Sequence, residues 1–185
     1  FIPAGSGGIG TFAIQLAKHL GATVATTTSA GNAALVKSLG ADVIVDYKKD
    51  HFEERLSGYD VVLNSQDGKT LAKSLGVLKP GGHLISISGP PDPQFARDIK
   101  ANWLVQQVMR AISFGARRQA KRLQVGYSFL FMKASGGQLQ KITQLIEAGA
   151  IRPVIDKVFP FESTNEALAY VESGRAKGKV VIKLR

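Results

Sequence analysis

The chain has 185 residues, 44% of them hydrophobic, and its 24 Lys and Arg against 14 Asp and Glu give a net charge of +10. That length supports one good core, or one domain with a piece of another. No apolar run approaches the roughly 20 residues needed to cross a bilayer, so membrane insertion is not expected. The lack of cysteine excludes disulfides and thiolate metal sites and fits a reducing, cytoplasmic setting. His19, His51 and His83 stand in no ligand-like spacing, so no metal site is expected.

The chain opens with an apolar strand end that runs into Gly5-Ser6-Gly7-Gly8-Ile9-Gly10. This G-x-G-x-x-G ahead of a helical pattern is the layout of a dinucleotide-binding turn. Its first glycine makes the tight turn, the second lets backbone approach a pyrophosphate, and the third lets helix pack on strand. The helix start supplies unpaired N–H groups and a positive dipole end. Ile9, Phe12, Ala13, Leu16, Ala17 and Leu20 recur at helical spacing, and Gly21 is a stop. With four residues before Gly5 and no initiator methionine, the chain is expected to be the later part of a longer protein.

Strand and helix patterns then alternate, which predicts an α/β fold with a parallel sheet. Thr23 to Thr28 reads as a strand, Asn32 to Leu39 as a helix, Val43 to Val45 and Asp60 to Leu63 as strands. Asp67 is placed to cap a helix through Leu75, and Pro80-Gly81-Gly82 turns into a strand from His83 to Ser88. Tyr127 to Phe131 is a further strand. Ser135 leads a helix closed by Gly149, and Pro153 to Phe159 is a strand whose proline suggests an edge. Ser163-Thr164-Asn165-Glu166 reads as a capping box, and Lys179 to Leu184 closes the chain as a strand. A boundary near Lys133 to Gly136 divides the sequence into residues 1–134 and 135–185.

An NAD site places Asp or Glu about 20 residues past the turn, on the ribose hydroxyls. Here Thr26-Thr27-Thr28-Ser29-Ala30-Gly31-Asn32 holds no acid. Hydroxyls can bond a ribose phosphate, and no carboxylate repels it, which favours NADP(H). Plain β propensity also accounts for the threonines. Tyr47, beside Lys48 and Lys49, is a second wall for the same pocket. Gly68-Lys69-Thr70 fails as a P-loop because Leu63 stands where a glycine is required. A nucleophile elbow at Ser6 leaves the later glycines without purpose.

Between Arg97 and Arg122 seven basic residues face one acid, Asp98, among Trp103, Leu104, Val105, Val108, Met109, Ile112 and Phe114. This pattern suits an amphipathic basic helix, either a solvated surface insertion or a docking face for a partner or a membrane surface. No nucleic-acid-binding motif accompanies it, so nucleic acid is not an expected partner.

Ala4 to Gly10, Ala13 to Lys18, Leu39-Gly40-Ala41-Asp42, Asp46-Tyr47, Gly149 to Asp156 and Gly174 to Val181 together resemble the medium-chain dehydrogenase/reductases. The chain is most similar to the zinc-independent quinone oxidoreductase and enone reductase branch. The resemblance implies a Rossmann domain, doubly wound with helices on both faces. It also implies a helix-strand-helix-strand return, over 135–185, into a GroES-like catalytic domain whose front is absent. It implies hydride transfer from NADPH to a quinone or an α,β-unsaturated carbonyl, and a homodimer. By the same resemblance Ser6, Gly7, Gly8 and Ile9 meet the pyrophosphate, and Thr27, Thr28, Ser29 and Tyr47 the adenosine end. Asn64 and Ser65 lie near the nicotinamide ribose; Ser88, Gly89, Phe131, Met132 and Lys133 flank the nicotinamide; Lys177 and Lys179 reach back toward the cofactor. No general acid is assigned. The competing readings are a redox-inactive nucleotide-binding module with a basic docking helix, and an S-adenosylmethionine-dependent methyltransferase.

Overall fold

In the computed structural model, which describes residues 1–184, strands and helices alternate as expected. The order is α1 (Gly10–His19), β1 (Ala25–Thr28), α2 (Ala33–Ser38), β2 (Val43–Asp46), α3 (Phe52–Arg55), β3 (Tyr59–Asn64), α4 (Gly68–Leu75) and β4 (Leu78–Ser86). Then come α5 (Pro93–Asp98), α6 (Trp103–Ile112), α7 (Phe114–Arg122), β5 (Gly126–Phe129), α8 (Gly136–Glu147), β6 (Ile155–Pro160), α9 (Thr164–Glu172) and β7 (Lys179–Lys183). Arg185, the last residue of the expected 135–185 segment, lies outside the described residues.

The chain divides into two compact units. The first holds Phe1–Pro3 with Val45–Ala134, the second Ala4–Ile44 with Ser135–Arg185. In the first unit β3, β4 and β5 form a parallel ladder in that order. Phe1 extends it on the far side of β3, its amino group donating to the Val61 carbonyl (2.7 Å) and its carbonyl accepting from the Leu63 amide (3.0 Å). Val62 and Leu84 are register partners on β3 and β4, and both are fully buried. Each such side chain contributes about 1.5–3 kcal/mol by leaving water. Leu71 and Leu75 of α4 cover that ladder, and Asp67 caps the helix as expected, accepting from the Thr70 amide (2.8 Å). The Pro80-Gly81-Gly82 turn does not precede β4 but lies within it. Between the pairs Tyr59–Leu78 and Val61–His83 the register slips, and the turn residues bulge out.

The single amphipathic basic helix is replaced by three, α5, α6 and α7. Lys100, at φ +53°, ends the first, and the second stops at Ser113. Asp92 and Asn102 cap α5 and α6 through the Phe95 and Val105 amides. The left-handed turn at Lys100 and the Asn102 cap break the basic run where charge and periodicity alone read it as continuous.

In the second unit β6 and β7 pair in parallel. Pro153 stands before β6 rather than in it. The amides of Asp42 and Val43, at the start of β2, both donate to the Val24 carbonyl ahead of β1 (2.8 and 3.1 Å). The helical face expected of α1 is not the buried one. Thr11, Ile14 and Gln15 are buried, whereas Leu16 is 40% and Leu20 74% exposed. Periodicity identifies the helix, but Gln15 is drawn inward by a backbone partner at Arg152. The capping box does not form either: Ser163 makes no side-chain cap, and Thr164 Oγ1 turns back to the Phe161 carbonyl (2.5 Å). Apolar side chains stand exposed along α8, β6 and α9, among them Leu139, Ile142, Ile155, Val158 and Leu168.

Candidate nucleotide-binding site

The glycine turn lies in the second unit, where β1 and α1 fix it. The Gly5 amide donates to the Thr27 carbonyl (2.9 Å) and the Ala4 amide to Thr27 Oγ1 (3.0 Å). Thr28 Oγ1 donates to Ser6 Oγ (3.0 Å), and Asn32 Nδ2 reaches the same oxygen (3.3 Å). Thus Ser6, Thr27 and Thr28 are brought together, with Ser29 beside them at the end of β1. The hydroxyls of Thr27 and Thr28 are buried struts of the turn, while Ser29 and Asn32 are partly open to solvent.

Crowding separates the glycines by cause. A Cβ on Gly5 would sit against the Thr26 side chain, and one on Gly10 would lie 2.5 Å from the Ala4 carbonyl and 2.6 Å from Gly5 Cα. Both positions are therefore required by the fold. Gly7 is different: a Cβ there would meet only the Ala4 carbonyl oxygen, at 3.4 Å. The fold alone exerts little pressure for glycine at this position, and the space it leaves open is the cradle that a phosphate would fill. The start of α1 has no side-chain cap and no acid in its first turn, and its last turn carries Lys18 and His19. Open amides and an unopposed dipole suit an anion. These residues fit a dinucleotide pyrophosphate.

The C-terminal segment meets the turn in the same unit. The Gly178 amide donates to the Ser6 carbonyl (3.0 Å), and the Lys179 ammonium lies 5.5 Å from the centre of the Phe12 ring. A Cβ on Gly8 would come within 3.0 Å of the Gly178 carbonyl and 3.3 Å of Lys179 Nζ. Lys179 therefore carries its charge to the turn. The Lys177 amide instead donates to Asp156 Oδ2 (3.0 Å), and Tyr170 Oη donates to the same oxygen (2.7 Å). These bonds hold the Asp156 carboxyl below its ordinary range, that from Tyr170 counting most.

The first unit gathers the other expected residues at the C-terminal ends of β3 and β4. Asn64 is buried; its Nδ2 donates to the Gln66 carbonyl (3.1 Å) and Ser86 Oγ (3.4 Å), and its Oδ1 has no partner among the described residues. Ser88 Oγ donates to the same Gln66 carbonyl (2.6 Å), and the Gly89 amide to Ser86 Oγ (2.8 Å). Ser65 is half-buried at this crossing. Phe131 packs 5.7 Å from Phe95 and is 60% exposed, and Met132 and Lys133 are exposed beside it. Tyr47 is also exposed, at 59%, after β2. C-terminal strand ends are where ligands bind in open α/β sheets.

Sequence reasoning missed Asn32 and the pair Asp92–Tyr127. The buried Asp92 accepts from the Phe95 amide (2.8 Å) and the Phe129 amide (3.2 Å), and Tyr127 Oη donates to the Pro90 carbonyl (2.6 Å). Burial, with the Asp92 charge, pushes the Tyr127 phenol up to about 12 and keeps it a donor. The signal for Asp92 was legible as Asp-Pro-x-Phe, an N-cap followed by proline at the first helical position.

An α/β chain with parallel ladders and a glycine turn between a strand and a helix start has the Rossmann nucleotide-binding fold. The match to a solved structure of the quinone oxidoreductase from Coxiella burnetii agrees, with a TM-score of 0.82 at 27% identity over 100% of this chain and 52% of that one. The sequence profile described as zinc-binding dehydrogenase matches residues 39–182. The chain belongs to this family, within the medium-chain dehydrogenase/reductases. Among the described residues no three His, Asp or Glu side chains are grouped to hold a metal ion.

Among curated relatives, the zebrafish (Danio rerio) "NAD(P)H oxidoreductase RTN4IP1, mitochondrial" is 35% identical over 99% of this chain and 48% of its own length. The tomato (Solanum lycopersicum) "2-methylene-furan-3-one reductase" is 35% identical over 96% of this chain and 38% of its own. The chain thus spans about half or less of the length of the curated relatives it matches. The expectation of a cytoplasmic protein is overturned: the zebrafish relative and its mouse, cattle and human namesakes are called mitochondrial. Lack of cysteine does not distinguish one compartment from another.

Proposed function

We propose that this chain is the cofactor-binding part of an NADPH-dependent oxidoreductase that reduces a quinone or an α,β-unsaturated carbonyl. Residues 1–134 form its Rossmann domain, and 135–185 belong to its catalytic domain. The observation that carries the reading is the open cradle at Gly7, beside an uncapped, acid-free helix start and the hydroxyl cluster of Ser6 and Thr28. The cofactor, when bound, supplies the hydride. The chain binds and orients it. Ser6, Gly7, Gly8 and Ile9 hold the pyrophosphate against the α1 amides, with Lys179 adding positive charge. Thr27 and Thr28 shape the adenosine end, where Ser29 and Tyr47 offer hydroxyls.

Preference for NADPH rests on the absence of an acid from Thr26 to Asn32. Asn64 and Ser65 serve the nicotinamide ribose; Ser88, Gly89, Phe131, Met132 and Lys133 flank the ring; and Lys177, through its backbone, holds the Lys179 segment. Such catalysis is positioning of a donor and an acceptor. The exposed apolar residues of α8, β6 and α9 support a further domain packing on 135–185. The relatives' names support the acceptor class. The test is turnover by the full-length protein supplied with NADPH and either an enone or a quinone. Consumption of NADPH that requires the acceptor is expected; binding without turnover of either acceptor class would overturn the reading.

A further inference from the structure

Within the first unit, α5, α6 and α7 border an open, solvent-exposed cleft of about 440 Å³, in the size range of small-molecule sites. Its lining is dominated by Arg97, Arg110 and Arg117 with Gln94, Gln106 and Gln107. Nothing in the proposed hydride chemistry uses it. None of the three arginines takes part in a described salt bridge, all of which lie elsewhere.

Two of the three guanidinium groups are nonetheless oriented. Arg117 Nε donates to the buried Ser113 Oγ (3.1 Å) and its Nη2 to the Arg110 carbonyl (3.0 Å). Ser113 Oγ is itself fixed by donating to the Met109 carbonyl (2.7 Å). Arg97 Nη2 donates to Gln94 Oε1 (2.6 Å), and Gln94 Nε2 to Asp98 Oδ1 (2.8 Å). The Arg110 guanidinium has no hydrogen-bond partner among the described residues. Asp92, also in the lining, has both oxygens engaged by the Phe95 and Phe129 amides, and its single carboxylate against three arginines leaves the lining net positive. The two oriented guanidinium forks and the unpartnered one of Arg110 leave donor capacity that the oxygens of an anion can take up in place of water.

We propose that this cavity is a second anion site, separate from the glycine turn, which takes the phosphoryl groups of a soluble phosphate ester or diphosphate. Guanidinium forks match phosphate oxygens in pairs, and the Gln107 amide supplies a further donor, those of Gln94 and Gln106 already donating to Asp98 Oδ1 and the Ala101 carbonyl. This site stands whether or not the cofactor reading holds.

The test is a titration of the uniformly 15N-labelled chain with inorganic pyrophosphate at about 0.15 M salt, where loose surface attraction is screened. Saturable shifts of the Arg97, Arg110 and Arg117 Nε–H signals are expected. In the double variant Arg97→Gln with Arg110→Gln, affinity at these signals falls by about tenfold or more. The control Arg118→Gln with Arg122→Gln removes the same charge outside the cavity and changes affinity by less than about twofold. All four positions are at the surface, and circular dichroism verifies the fold. Shifts confined to Gly7 through Gly10 would overturn the proposal while leaving the cofactor turn intact. Equal weakening by both double variants would also overturn it. So would binding to phosphatidylglycerol vesicles without binding of pyrophosphate, because Trp103 and Leu104 are exposed on the same helices and would then mark a lipid surface.

Discussion

Gln15 on α1 and Arg152, 137 residues later, form a reciprocal pair: Gln15 Oε1 accepts from the Arg152 amide (2.8 Å), and its Nε2 donates to the Arg152 carbonyl (3.0 Å). One side-chain amide thus replaces a missing stretch of sheet for a loop backbone and ties the C-terminal segment to α1. Gln15→Leu keeps the volume and leaves both backbone groups unpaired. The expected cost is about 1–3 kcal/mol, read as a lower urea midpoint. An unchanged midpoint would show that water replaces the amide without loss.

Gly7→Ala and Gly10→Ala separate binding from folding. At Gly10 the new methyl meets backbone at 2.5 Å and cannot be relieved by a rotamer, so destabilisation of about 3 kcal/mol or more is expected. At Gly7 a single contact at 3.4 Å costs within about 1 kcal/mol, while cofactor binding is lost. Thermal melts and a cofactor titration on both variants measure this. Similar melting losses at the two positions would contradict it.

The Val24 amide and then the Lys18 ammonium hold the Asp42 carboxyl below its ordinary range. A carboxylate favoured in the folded state contributes stability that is present above the unfolded value, about 3.9, and is lost as pH falls below it toward the folded value. Urea unfolding of Asp42→Asn should therefore show a shallower loss between about pH 5 and pH 3 than the parent chain. Parallel profiles would assign the acid sensitivity to other carboxylates.

Gln124, exposed between α7 and β5, holds φ at +56°. Gln124→Gly removes the Cβ penalty of the left-handed region, and a gain of about 0.5–1 kcal/mol is expected in the same unfolding assay. A loss would mean that the side chain does more than occupy the turn.

The parts of the fold that depend on local pattern were readable in the residues. Gly5, Gly7 and Gly10 ahead of a helical period located the turn, and Asp67 located the start of α4. What depends on distant partners was not. The apolar stripe of α1 points outward because Gln15 finds Arg152, and no local signal encodes a partner 137 residues away. Ser163 forgoes its cap because Thr164 bonds back into the preceding turn. In the candidate site, the role of Asn32 depends on a turn that brings Ser6 within 3.3 Å, and spacing alone does not show it. The cavity between α5, α6 and α7 was hidden because the basic run read as one helix.

The most direct measurement is a calorimetric titration of the folded chain with NADPH, and with NADH in parallel. Saturable binding with NADPH favoured by about tenfold is expected, since a 2′-phosphate finds hydroxyls and no carboxylate beyond β1. Binding of neither nucleotide, or tighter binding of NADH, would contradict it.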